Sequence, residues 1–157
     1  MRDRRAIQAA QWDRLQVVRQ ALIGQNKFYS ERLDTGFTSL AEFRARTPFT
    51  TKLELVEDQL AHPPFGTNLT YPLDQYTRFC QTSGTTGVPL RWLDTPESWE
   101  RMLGSWRKMF AVVGVTAADR LLFPFSFGPF LGFWAAFDNA TRSSRFVVAA
   151  GGLSSVA

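Results

Sequence analysis

The sequence predicts an α/β fold: a helical N-terminal segment, then the beginning of a mostly parallel sheet with its covering helices. Two observations carry that prediction. Apolar residues recur at helical spacing over 4–23 and again after Thr95, with capping residues at the predicted starts. Beyond residue 75, β-prone runs at 76–80, 120–125 and 146–150 alternate with helical stretches, the pattern of strands joined by crossover helices. Residues 1–75 are therefore read as a mainly helical lead-in. Residues 76–157 are read as a loop and the first α/β units.

The elements follow in order. Trp12, Leu15, Val18 and Leu22 share one face of the first helix, and Gly24 is placed to end it. Ser39 and Thr51 each precede a glutamate by three residues, Glu42 and Glu54, which is the capping-box spacing, so a short helix should follow each. Pro63-Pro64-Phe65-Gly66 breaks the chain. Thr95-Pro96-Glu97 combines an N-cap, a first-turn proline and an acid suited to the helix dipole. Trp99, Met102, Leu103, Trp106, Phe110 and Val113 give the following helix its apolar face, with Gly114 as C-cap. A strand at 120–125, a Gly-Pro turn at 128–129, a helix at 130–142 and a strand at 146–150 complete the pattern. Only two or three strands precede the end, so the sheet reads as truncated.

Composition narrows the class. With 45% hydrophobic and 20% charged residues the chain reads as globular. Its net charge of +4 invites a nucleic-acid partner, but the cations are scattered and mostly near acids, as Arg44 and Arg46 are near Glu42. The expectation is no nucleic acid, with a preference for anionic ligands. The longest near-apolar run, 127–137, is too short for a membrane span, and the N-terminus lacks an apolar signal region. The expected compartment is the cytoplasm, with no membrane partner. One cysteine, Cys80, and one histidine, His62, exclude an intrachain disulfide and a zinc site built from them. Cys80 has no evident base and reads as a small buried residue; His62 reads as a loop residue. Asn139-Ala140-Thr141 matches a glycosylation sequon and is read as chance.

The most informative stretch is Gln81-Thr82-Ser83-Gly84-Thr85-Thr86-Gly87-Val88-Pro89-Leu90. Its glycines and hydroxyls disfavour a helix. It is neither a Walker A loop, having no Gly-Lys, nor a Gly-x-Gly-x-x-Gly dinucleotide fingerprint. It still carries what a phosphate cradle needs: glycines that let backbone N–H groups approach an anion, and hydroxyl donors to wrap its oxygens. A polar surface turn is the plainer reading of the same composition.

Thr82-Ser83-Gly84-Thr85-Thr86-Gly87-Val88-Pro89 resembles the phosphate-binding loop of the adenylate-forming superfamily of AMP-dependent synthetases and ligases. Phe28 to Leu33, Pro48 to Lys52, Pro64-Phe65-Gly66 and Phe125-Ser126-Phe127-Gly128-Pro129-Phe130 are similar to the phenylacetate–CoA ligase branch, in the same order. The resemblance implies an enzyme that activates a small-molecule carboxylic acid with Mg2+–ATP through an acyl-adenylate. The acyl group then passes to coenzyme A. Thr82, Ser83, Gly84, Thr85, Thr86 and Gly87 would handle the β- and γ-phosphates. Phe125, Phe127, Gly128 and Phe130 would line the acyl pocket, although core packing is the more ordinary role for each phenylalanine taken singly.

Departures accompany the match. Val88 and Leu90 stand where many relatives carry lysine, leaving Arg91 as the nearest cation. Asp138-Asn139 and the polar residues after it are unusual for a helix packed on a sheet. The family's adenine, magnesium and ribose contacts, its catalytic lysine and its C-terminal domain fall beyond the region matched. Catalytic residues are therefore expected downstream of Ala157, and the metal has no expected ligand in this segment. The expectation is an N-terminal portion of a ligase, inactive alone. The alternative is a non-catalytic truncated paralogue, or one subunit of a split ligase that needs a complementary chain.

Overall fold

A computed structural model of the protein describes residues 3–33, 36–84, 87–143 and 146–151. The chain divides into two compact units, 1–73 and 74–157.

The first unit is helical, with α1 (Arg4–Leu22), α2 (Lys27–Ser30), α3 (Leu40–Arg46) and α4 (Lys52–Ala61). Its helix starts follow the capping residues. Asp3, Asn26, Ser39 and Thr51 each accept a backbone N–H of the first turn through their side chains. At Thr51 the full reciprocal box forms with Glu54. The hydrogen bonds from Thr51 hold the Glu54 carboxyl below its ordinary range. At Ser39 the box is displaced by one residue, because Glu42 reaches back to Thr38 instead. Phe37 is buried, edge-on to Trp12 at 6.2 Å and to Phe43 at 5.1 Å. Buried Asn26 also latches the later chain, donating to Asn68 Oδ1 at 3.0 Å and Thr70 Oγ1 at 3.1 Å. His62 is the C-cap of α4, with its Nδ1 3.4 Å from Asp58.

The second unit holds the strands. β1 (Arg78–Gln81) and β2 (Arg91–Asp94) form an antiparallel hairpin, pairing Arg78 with Asp94, Cys80 with Trp92 and Gln81 with Arg91. β2 has no counterpart in the sequence reading, and among the described residues β1 does not join the parallel pair. This hairpin corrects the expected strand–loop–helix order: the chain returns along itself before the helix starts. β3 (Arg120–Phe123) and β4 (Phe146–Ala149) pair in parallel, Arg120 with Phe146 and Phe123 with Ala149. α5 (Pro96–Val112) lies between β2 and β3, and α6 (Leu131–Arg142) runs between β3 and β4.

The core lies between these layers. Trp99 and Leu103 of α5 pack with Cys80 of β1 and Ala135 of α6. Phe123 of β3 packs with Ala136 and Ala140 of α6, flanked by Leu121, Phe137 and Val147. The small alanines of α6 let α5 and the sheet approach closely. Outward, Leu122, Phe146 and Val148 are exposed, so the parallel pair is covered on one face only among the described residues. The backbone after β4 returns close to the chain: a Cβ on Gly151 would clash with the Phe125 carbonyl oxygen.

Candidate functional site

The hydroxyl- and glycine-rich loop is the tip of the β1–β2 hairpin. Its mouth is closed by Thr82 and Leu90. The Thr82 N–H donates to the Leu90 carbonyl at 3.0 Å, and the Leu90 N–H donates to Thr82 Oγ1 at 2.9 Å. Leu90, the position expected to lack a useful charge, is buried and anchors the returning strand. Thr82 Oγ1 is spent as an acceptor, so its O–H remains as a donor. Farther out, the Gly87 N–H donates to the Gly84 carbonyl at 2.9 Å. Gly84 has φ +68°, and a Cβ there would sit 2.8 Å from Pro89 Cγ. Ser83 and Gly87 are exposed. Thr85 and Thr86, assigned with them to phosphate contact, lie outside the described residues. Arg91 is exposed at the start of β2.

The aromatic segment after β3 lies beside the loop's stem. The Gln81 N–H donates to the Pro129 carbonyl at 2.8 Å. The Trp134 indole N–H donates to the Gly128 carbonyl at 2.7 Å. Gly128 has φ +48°, and a Cβ there would meet the Phe130 ring at 3.1 Å. Phe125 stacks on Phe133 at 4.4 Å, and Phe127 meets Trp134 at 4.8 Å and Phe137 at 5.1 Å. Phe125 and Phe127 also pack against the Phe123 core, so both serve the core on at least one side.

The polar end of α6 has a structural explanation that the sequence does not offer. Asp138 Oδ2 accepts from the Trp99 indole N–H at 2.9 Å and forms an ion pair with Arg78 at the start of β1. The Arg78 guanidinium lies over the Trp99 ring, 4.1 Å from its centroid. One carboxylate thus joins β1, α5 and α6. Neighbouring Asn139 is fully buried, so its sequon is inaccessible in the fold, and nothing in the structure explains its amide.

Cys80 sits two residues before the loop, buried against Trp99, Leu103 and Ala135. Burial, then the Asp94 carboxylate, pushes its thiol above the ordinary range. The native protein should therefore react with a thiol reagent at pH 8 more slowly than the urea-unfolded chain, by on the order of a hundredfold. Equal rates, read by absorbance of the released thiolate, would place Cys80 at the surface.

A polar cleft of about 310 Å³ in the first unit is lined by Lys27, Arg32, Glu54, Asp58, His62 and Thr67, among others. Two of its acids are engaged: Glu54 pairs with Arg32, and Asp58 accepts from the Thr67 N–H at 2.7 Å and hydroxyl at 2.6 Å. Among the described residues no group of three or more His, Cys, Asp or Glu is arranged to hold a metal ion, and no helix is long and apolar enough to cross a membrane.

This geometry and this loop sequence define a class: the chain has the fold of the N-terminal part of adenylate-forming CoA ligases. The particular proteins it is similar to are crystal structures of 2-hydroxyisobutyryl-CoA ligase. A complex with 2-HIB-AMP and CoA in the thioesterification state has TM-score 0.86 and 26% identity, covering 98% of this chain and 33% of that one. An open conformation with 2-HIB-AMP and CoA has TM-score 0.82 and 27% identity, covering 94% and 35%. A postadenylation complex with 2-HIB-AMP has TM-score 0.80 and 27% identity, covering 92% and 31%. The chain thus spans about a third of the length of these ligases. No protein-family model matches it, and no curated protein is similar to it at a significant level.

Proposed function

We propose that this chain is the N-terminal portion of an AMP-forming acyl- or aryl-CoA ligase, of the phenylacetate–CoA ligase-like branch, working in the cytoplasm on a small-molecule carboxylic acid. The observation that supports this best is the hairpin loop, closed at Thr82 and Leu90 and turned at Gly84. In this reading Thr82, Ser83, Gly84, Thr85, Thr86 and Gly87 hold the β- and γ-phosphates of ATP. Hydroxyl and backbone donors fixed before the reaction stabilise charge as it builds on the leaving pyrophosphate, without the cost of reorganising water. Mg2+ would supply charge neutralisation to the nucleotide, with none of these residues assigned to hold it. Phe125, Phe127, Gly128 and Phe130 form the acyl side. Coenzyme A accepts the acyl group in the second half-reaction, on the part of a ligase that this chain does not match.

Titrating the labelled protein with inorganic pyrophosphate tests the reading by NMR. Shifts should be confined to the amides of residues 82–90, with weak, roughly millimolar affinity, as expected of a few donors without the rest of a nucleotide pocket. Shifts confined to the basic start around Arg4 and Arg5, or none at all, would defeat it. Tight ATP binding by these 157 residues would instead overturn the expectation that the nucleotide site is incomplete here.

A second reading, a non-catalytic module that docks a complementary chain, draws on the exposed Leu122, Phe146 and Val148. Catalysis by the chain after mixing with a separately encoded partner would favour the split-ligase form of it. A sharp thermal transition with a monomeric mass would count against it.

A further inference from the structure

We propose that Asp138 and Trp134, one helical turn apart on α6, are positioning residues that hold the stem of the 82–87 loop and couple it to the 125–130 segment. The inference rests on the reading of that loop as the ligand-binding element, and adds what keeps it in place. β1 is only four residues long, Arg78 to Gln81, and the loop begins at the next residue. Both ends of this strand are tied toward α6. At its start, Arg78 pairs with Asp138 and lies over Trp99, whose indole N–H binds the same carboxylate oxygen. At its end, the Gln81 N–H is held by the Pro129 carbonyl, and the adjoining Gly128 carbonyl is held by Trp134. Residues at i and i+4 lie above one another on one helix face, so Trp134 and Asp138 present two anchor points to one strand.

The same arrangement explains chemistry that is otherwise out of place. An aspartate on the buried side of a helix that packs on a sheet loses hydration, and a two-partner, charge-assisted arrangement offsets that loss. Arginine suits this place better than lysine, because its planar group stacks on Trp99 while donating to Asp138. Trp134 has a second consequence. It touches Phe127 with its ring and Gly128 with its N–H, so a shift of the aromatic segment reaches the loop stem through Pro129 and Gln81. The two halves of the proposed site are thereby joined through a continuous chain of contacts within one unit.

Amide hydrogen exchange on the 157-residue protein, with pyrophosphate titrations alongside, tests this. The variants are Asp138→Asn, which removes the charge, Asp138→Glu, which keeps it, and Trp134→Phe, which keeps an aromatic ring, though a smaller one, and removes the donor. The amides to follow are Gln81, Thr82 and Leu90. The reference is Ala150, whose N–H donates to Phe123 across the parallel pair. In Asp138→Asn and in Trp134→Phe, exchange at the stem should rise by about tenfold with Ala150 unchanged, and pyrophosphate affinity should fall by about threefold or more. Asp138→Glu should recover part of both. Equal acceleration at Ala150 would reduce these residues to general stability and overturn the proposal, as would unchanged stem exchange in both variants. Should Asp138→Asn not fold, Trp134→Phe alone decides. Should the wild-type protein bind no pyrophosphate while the stem exchange behaves as stated, the phosphate reading falls and the coupling through α6 stands.

Discussion

Replacing Gly84 with alanine is expected to weaken pyrophosphate binding at least tenfold while changing the thermal midpoint little. Two costs combine at this position. Its φ of +68° is left-handed, which costs an L-residue about 1–2 kcal/mol. The new Cβ would also stand 2.8 Å from Pro89 Cγ and 3.0 Å from the Gly87 carbonyl, a clash costing about 1–3 kcal/mol if nothing moves. The loop will move, because its described residues Ser83, Gly87 and Val88 are exposed. The strain then appears as a displaced loop and a weaker site, about 1.4 kcal/mol for each tenfold of affinity. Calorimetric titration of both proteins checks the expectation. Unchanged affinity would mean that the tip of the hairpin does not grip the ligand.

Leu103→Ala should have the larger effect on stability, about 2–5 kcal/mol. Leu103 is 0% exposed and lies where α5, the loop stem at Cys80 and Ala135 of α6 meet. Its small neighbours, an alanine and a cysteine, have no side-chain length with which to fill the gap, so collapse around the cavity is restricted. Within a unit of this size the thermal midpoint should fall by on the order of 10 °C or more. Urea titration separates the result from a change in compactness, since the slope should stay constant while the midpoint drops. A loss below about 1 kcal/mol would mean that the second unit repacks freely.

Where a local chemical signal existed, the sequence announced the structure. Ser39, Thr51 and Thr95 each cap the helix expected after them, and the helices run 40–46, 52–61 and 96–112. The face of α5 is legible for the same reason, with Trp99 and Leu103 buried at its centre, although Val113 at its end is exposed. The parallel pairing of β3 and β4 followed from the helix between them. β2 was missed because a four-residue strand directly after a loop offers too few residues to show alternation. Its presence turns the glycine-rich stretch from a strand-to-helix connection into the tip of a hairpin. The Arg78–Asp138 pair joins residues 60 apart, and no local pattern foretells it. The polarity of Asp138 on a helix packed against a sheet is the sign of that tether in the sequence. The loop string itself was legible as chemistry, because glycine and hydroxyl groups have few other reasons to gather so densely.

The wet outer face of the parallel pair has a calorimetric consequence. The heat-capacity increment of unfolding arises mainly from apolar surface that water reaches only when the chain opens. Leu122, at 61% exposure, and Phe146, at 63%, are already largely hydrated in the folded protein. Their side chains add little to that increment, so the second unit should fall below the roughly 12–15 cal/mol/K per residue of a domain packed on all sides. Its stability curve should accordingly be broad and shallow, holding much the same low value across a wide span of temperature.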